Sequence, residues 1–186
     1  MRVRQLSFVT VVLALGLIMP AGAQQTQAPL RSPDVIFVPT PPEVAEAMMK
    51  LASVTPKDLV YDLGCGDGAI VTMAAQKFGA RAVGIDIDPQ RVKEANERVQ
   101  KAGVTDKVKI LNADLFTSDI ASATVVTLYL LQSLNIKLIP KLNSELKPGT
   151  RIVSQSFDMG EEYPAEKTVD VNGRNVYLWT VPMKKR

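Results

Sequence analysis

The run Leu59-Val60-Tyr61-Asp62-Leu63-Gly64-Cys65-Gly66-Asp67-Gly68 constrains the fold more than any other stretch, because an apolar strand there passes straight into a glycine-rich turn. A helical pattern follows from Gly68 to Phe78, so the turn is a strand-to-helix junction. Open α/β sheets bind ligands at such junctions. Glycines let the backbone approach a ligand, and the first N–H groups of a helix offer donors to a carboxylate or phosphate. Dinucleotide sites want G-x-G-x-x-G, whereas this turn reads G-x-G-x-G and puts Asp67 where a pyrophosphate would lie.

Downstream, short β-rich runs alternate with helical patterns. Strands are expected at Leu59–Leu63, Arg81–Asp86, Val108–Asn112, Thr124–Leu130 and Arg151–Ser156, the βαβα rhythm of a parallel sheet. The best-marked helix has Asp88 as N-cap, Pro89 at its first position, apolar Val92, Ala95, Val99 and Ala102, and Gly103 closing it. Another, Leu134 to Leu146, carries Ile136, Ile139, Leu142 and Leu146 on one side, and Pro140 should kink or split it. Near the end, Lys167–Val171 and Val176–Val181 flank Asn172-Gly173, which suits a tight type I′ hairpin. The expected fold is a Rossmann-like, mostly parallel sheet with helices on both faces and an antiparallel C-terminal hairpin. Trp179 and Phe157 read as core residues of edge strands.

Two more acids fall at predicted strand ends. Asp86 closes Val83-Gly84-Ile85-Asp86, placed to accept both hydroxyls of a ribose, and Asp114 closes Ile110-Leu111-Asn112-Ala113-Asp114, placed for an adenine amino group. An acid beside two phosphates is electrostatically awkward. Beside S-adenosylmethionine (SAM), with its ammonium and its cationic sulfur, Asp62 and Asp67 are tolerable or useful. The expected cofactor-binding set is therefore Asp62, Gly64, Cys65, Gly66, Asp86, Ile87, Asp114 and Leu115. Cys65 has no basic partner nearby in sequence and is expected to be a small buried residue, without chemistry of its own.

Read together, D-L-G-C-G-D-G, G-I-D-I-D and N-A-D-L-F resemble motifs I, post-I and II of the class I SAM-dependent methyltransferases, over residues 34–182. Within that superfamily, Val35 to Pro41 and the stretches Val125 to Leu131 and Leu146 to Ser154 resemble the non-SET protein-lysine methyltransferases and their bacterial relatives. The resemblance implies SAM as cofactor and a methyl acceptor that includes protein lysine among its options. Two departures bear on the acceptor. Gln155-Ser156-Phe157 stands where a His-Asp-Phe would be expected, and no Asn/Asp-Pro-Pro-Tyr follows the fourth strand, which argues against the nucleic-acid enzymes that use that motif. Tyr129, at the end of the fourth strand, is the candidate catalytic residue; it could line the acceptor channel or simply pack.

Composition excludes several chemistries. The chain has no histidine, so a Ser-His-Asp triad, a Cys-His dyad and the usual His-containing zinc sites are ruled out, and no metal site is expected. Methyl transfer tolerates that absence, since displacement at a sulfonium-activated carbon needs alignment and exclusion of water more than a dedicated base. Lysines and arginines are interspersed with acids, without the basic stripe of a nucleic-acid groove, so nucleic acid is not an expected partner.

The N-terminus carries an export pattern: Arg2 and Arg4, an apolar run from Phe8 to Met19, then Ala21-Gly22-Ala23. The run is shorter than the ~20 residues of a membrane span. Residues 1–23 are thus expected to be a cleaved signal peptide, with the mature chain starting at Gln24 in the periplasm or outside the cell and keeping no membrane span. An uncleaved anchor, or translation from Met19 with a cytosolic product, stays open. Residues 24–33, polar and proline-punctuated, read as a flexible lead-in, and residues 34–186 as one catalytic domain. Export leaves two rivals to a protein-lysine enzyme: a non-catalytic module that captures SAM or a nucleoside, and a small-molecule methyltransferase.

Overall fold

The computed structural model describes residues 30–186. The leader and the start of the lead-in lie outside the described residues. Of the lead-in, residues 30–33 are described and carry neither helix nor strand.

Seven strands, β1 (Leu59–Leu63), β2 (Arg81–Asp86), β3 (Val108–Asn112), β4 (Val125–Leu128), β5 (Arg151–Gln155), β6 (Lys167–Val171) and β7 (Arg174–Thr180), form one sheet in the order β3-β2-β1-β4-β5-β7-β6. The first five run parallel, and β7 inserts antiparallel between β5 and β6. Strand order reverses between β1 and β4, so the crossovers leave a crevice at their carboxyl ends. Helices α1 (Pro42–Leu51), α2 (Ala69–Phe78) and α3 (Pro89–Lys101) cover one face, where Val44, Met48, Val71 and Val99 pack with Val60, Val125, Val153 and Val176. Helix α4 (Gln132–Glu145) covers the other, where Leu138, Ile139 and Leu142 meet Leu63, Ile85, Leu128, Ile152 and Trp179. Covering both faces is what lets β4 be buried at every position.

Several elements end where their chemistry dictates. The Asp88 carboxylate accepts from Gln90 N at 2.8 Å and Pro89 occupies the first turn of α3. Asn172 and Gly173 both have positive φ, 53° and 79°, the pair of values a type I′ turn requires. Strand β4 is shorter than the expected Thr124–Leu130: Thr124 spends its hydroxyl on Asp58, while Tyr129 to Leu131 leave the sheet toward the start of α4. Strand β5 likewise ends at Gln155, because Ser156 turns the chain with a φ of 64°.

Four expectations need correction. Helix α4 starts at Gln132 and runs through Pro140 unsplit, because both Pro140 and Ile136, whose carbonyl loses its partner, lie on the solvent side. Ile136 is therefore exposed and is not part of the core. Phe157 lies beyond β5 and is only half-buried, and Trp179 is buried on β7, inside the sheet and not at its edge. Helix α1 lies outside the expected elements, although its signals are in the sequence: Pro42 at its start, Glu43 in its first turn, and Val44, Ala45, Met48 and Met49 on one side.

The amino edge of the sheet is held by Asp58. Its carboxylate accepts from Thr55 N at 2.7 Å, Thr55 Oγ1 at 2.9 Å and Thr124 Oγ1 at 2.8 Å, and pairs with the Arg151 guanidinium, which also donates to Ala52 O at the end of α1. Burial pushes the Asp58 carboxyl up, but these donors outweigh it and hold the carboxyl below its usual range. Lowering on folding means its contribution is present above the ordinary carboxyl range and is lost as pH falls through the folded value. Asp58→Ala should cost about 3 kcal/mol at neutral pH, because Arg151 keeps its charge with only backbone carbonyls as partners and no carboxylate. A urea midpoint unchanged in this variant would refute that role.

Candidate functional site

The crevice between β1 and β4 opens into a cleft with about 860 Å³ of space between its walls, part of it open solvent. All nine residues singled out from the sequence line it: Asp62, Gly64, Cys65, Gly66, Asp86, Ile87, Asp114, Leu115 and Tyr129. Their convergence follows from register. Leu63 pairs with Ile85 and Leu128, and Asp86 with Asn112, so these carboxyl-end residues fall along one rim.

The glycine turn is fastened to β2. Gly64 N and Cys65 N both donate to Ile85 O, at 2.8 and 3.0 Å, and Gly66 N donates to Asp86 Oδ2 at 2.8 Å. Those three N–H groups are therefore turned inward, and of the helix-start donors expected from the sequence, Ala69 N is taken by the Asp67 carboxylate. A pyrophosphate would find no nest in them. Gly66 has a φ of 52°, and a Cβ built there would meet the Phe37 ring at 2.4 Å, so only glycine lets that ring lie across the turn. The Arg91 guanidinium in turn stands 4.8 Å from the Phe37 ring centre.

Acids dominate the lining. Asp62 is buried, and its Oδ1 accepts from Thr127 Oγ1 at 2.7 Å. Burial first, then the nearby Asp86 and Asp67 charges, push its carboxyl up to about 7 against the pull of Thr127. Because folding raises this value, ionised Asp62 costs stability, and the penalty grows as pH rises from the ordinary carboxyl range to about 7. Asp86 accepts from Asp88 N at 2.9 Å besides Gly66 N, which leaves further lone pairs on both oxygens. Asp114 accepts from Phe116 N at 2.9 Å and from Arg31 Nε and Nη2 at 2.6 and 3.2 Å. Burial raises the Asp114 carboxyl, but Arg31 and the Phe116 amide more than offset it and the net direction is down.

Asp67 faces α3: its Oδ1 accepts from Ala69 N and its Oδ2 pairs with Arg98. Burial pushes the Cys65 thiol up, in keeping with an inert packing role beside Gly84, where a Cβ would meet Sγ at 2.8 Å. Tyr129 is half-buried at the point where the chain leaves β4.

Sequence reasoning missed the strap formed by Arg31 and residues 33–38, which crosses the cleft and ends at Thr40. The sequence carries one signal for it, the apolar run Ile36-Phe37-Val38 between Pro33 and Pro39; in the structure all three are exposed on a segment without helix or strand. The lining cations, Arg31 and Arg91, are both paired, Arg31 with Asp34 and Asp114 and Arg91 with Glu94 and Asp88. A cleft with acids in excess, paired cations and no phosphate nest fits a ligand that carries positive charge beside a ribose and a base. SAM has that composition.

Comparison with known proteins agrees. A family model described as the ANTKMT methyltransferase domain matches residues 62–166. A protein-lysine N-methyltransferase of Saccharolobus islandicus is 45% identical over 153 residues, covering 80% of this chain and 95% of that protein. The crystal structure of an RNA methyltransferase from Salinibacter ruber in complex with S-adenosyl-L-homocysteine superimposes with a TM-score of 0.77 at 52% identity, covering 80% of this chain and 97% of that one. The ribosomal protein L11 methyltransferase of Photobacterium profundum is 32% identical over 118 residues, of which this chain spans 40% of the length. The chain belongs to the ANTKMT methyltransferase domain family and is a class I SAM-dependent methyltransferase.

Proposed function

We propose that the protein transfers the SAM methyl group to lysine side chains of protein substrates, after export from the cytosol. The observation that carries the acceptor is the likeness to the Saccharolobus islandicus protein-lysine N-methyltransferase over nearly its whole length. The cleft adds a physical reason. Six lining acids, Asp34, Asp62, Asp67, Asp86, Asp88 and Asp114, stand against two lining arginines and Arg98, which pairs with Asp67 from α3, and the remaining excess of acid is a field that draws in a cationic side chain and repels a phosphate backbone. The likeness to the Salinibacter ruber RNA methyltransferase supports RNA as the second reading, and the same acids count against it.

In this reading Asp86 accepts the ribose hydroxyls on its remaining lone pairs, and Asp114 accepts the adenine amino group once Arg31 yields its place. The turn residues Gly64, Cys65 and Gly66 and the flanking Ile87 and Leu115 pack along the ligand. Asp62 faces the methionyl ammonium. SAM would supply a methyl carbon activated by its sulfonium for the lysine nitrogen, with S-adenosylhomocysteine as the leaving group, and the lysine's ammonium proton would go to water before the amine enters the site. Tyr129 orients the amine on the approach line, and the strap around Phe37 keeps water off it. A lysine must arrive neutral, and the adjacent sulfonium favours loss of its proton.

Three outcomes test this. Below the folded Asp62 value of about 7, SAM must displace a proton from that carboxyl. SAM affinity should therefore rise toward tenfold per pH unit below about 7 and level off above it. Asp62→Asn should flatten that dependence; calorimetry in buffers of different ionisation enthalpy reads the released proton, and no release at pH 6 would sink the ammonium assignment. With methyl-labelled SAM and fractionated cell extract, label should appear on lysines, and Tyr129→Ala should lower the transfer rate about tenfold or more with SAM affinity nearly unchanged. Label on RNA or on a small metabolite, with none on lysine, overturns the acceptor. Export rests on Arg2, Arg4, Phe8 to Met19 and the Ala21-Gly22-Ala23 ending. N-terminal sequencing should find Gln24 first, and a cytosolic product with residues 1–23 intact would refute it.

A further inference from the structure

Gln155 is an expensive residue to bury, and its surroundings give it one partner. It closes β5 with no exposed surface, and the Thr40 hydroxyl donates to its Oε1 at 3.0 Å, while Nε2 has no partner. Buried amide N–H groups left unpaired are uncommon and call for a reason. Two other buried side-chain atoms share that condition among the described residues, Thr72 Oγ1 and Asn135 Oδ1, and neither residue bonds to the cleft lining. Gln155 does, through Thr40, which lines the cleft. In the register that pairs Leu128 with Ser154, Gln155 is the next residue of β5 and lies beside the point where Tyr129 leaves β4, at the β4 side of the crevice. Thr40 is held between Pro39 and Pro41, whose rings fix the backbone on both sides of it.

The ligand has a group with no assigned host. SAM's methionyl end carries a carboxylate next to its ammonium, in a cleft lined by six acids. The lining cations are paired, and the N–H groups of Gly64, Cys65 and Gly66 are turned inward. Among the lining side chains, the hydroxyls of Thr40 and Tyr129 are the remaining oxygen donors, and Tyr129 stands where the strand opens to the acceptor.

The geometry points to Thr40 and Gln155 as the subsite for the SAM carboxylate, with Thr40 in contact and Gln155 as a positioning residue behind it. This rests on the cleft being the SAM site. Without ligand the Thr40 proton points inward to Gln155 Oε1. When the carboxylate arrives, the Gln155 amide turns over about its last bond and gives Thr40 Oγ1 an N–H. The hydroxyl proton is then free to donate to the carboxylate. An amide is suited to this because it both donates and accepts; a carboxylate at position 155 could only accept, and an apolar side chain could do neither.

Decarboxylated SAM, which differs from SAM by the loss of this one group, isolates the contact, and 5′-methylthioadenosine, which lacks the whole amino-acid end, reports the adenosine half. The folded wild-type protein should prefer SAM to decarboxylated SAM, and in Thr40→Val, Gln155→Met and Gln155→Glu that preference should shrink at least about fivefold, with 5′-methylthioadenosine affinity within about twofold of wild type. Gln155→Glu keeps the bulk of the side chain and removes its N–H groups, so it separates the donor role from packing. A preference for SAM that persists unchanged in Thr40→Val and Gln155→Glu, or equal losses for all three ligands, would overturn the proposal. Asp86→Ala provides the separate check on the cleft: if it leaves 5′-methylthioadenosine binding untouched, the cleft assignment falls and this subsite with it.

Discussion

Two amide protons on one carbonyl oxygen hold the molecule's working edge in place. Gly64 N and Cys65 N share Ile85 O, and Gly66 N reaches the Asp86 carboxylate one residue further along β2. Without that attachment the chain would leave β1 in an arbitrary direction. With it, α2 starts at a fixed point, Asp86 is held at the rim, and the turn offers a bed on which Phe37 lies. The strap, the acids and the cleft volume all take their position from this fastening of one strand end to its neighbour. It also spends the N–H groups that a phosphate-binding version of the turn would present outward.

Asp58 and Asp62 sit four residues apart on and beside β1 and are treated oppositely. At the amino edge, Asp58 has Arg151, two threonine hydroxyls and an amide, and is held in its charged form. At the carboxyl edge, Asp62 has one hydroxyl and two acidic neighbours, and ionises only near neutrality. The sheet's one end is electrically complete in itself; the other is left short of positive charge. A cofactor that brings an ammonium and a sulfonium completes it, which gives a physical reason for selectivity toward SAM over an anionic nucleotide.

Much of this was legible because it depends on local rules. The bounds of β1, β2 and β3, the cap of α3 and the Asn172-Gly173 turn follow from alternation, capping and turn chemistry within a few residues. The acids at Asp62, Asp86 and Asp114 could be aligned because parallel strands put equivalent ends on one rim. What escaped depends on partners far away in sequence. Arg31 meets Asp114 across 83 residues, and Gln155 meets Thr40 across 115, separations at which spacing says nothing. Pro140 is carried without a break because its cost depends on which side of the helix faces water, and that is set by how α4 packs on the sheet, not by its local sequence.

The C-terminal hairpin has a consequence for how the protein behaves in a crowd. By turning back between β5 and β6, β7 removes the open edge that the parallel half of the sheet would otherwise expose, and passes it to β6. That last strand has Lys167 and Asp170 on either side of Thr168 and Val169, all of them exposed. A second chain approaching the unpaired backbone groups would have to strip water from both charges to gain contact with one valine. The edge is thereby made a poor template for strand addition, and self-association through growing sheets is discouraged where it would otherwise begin.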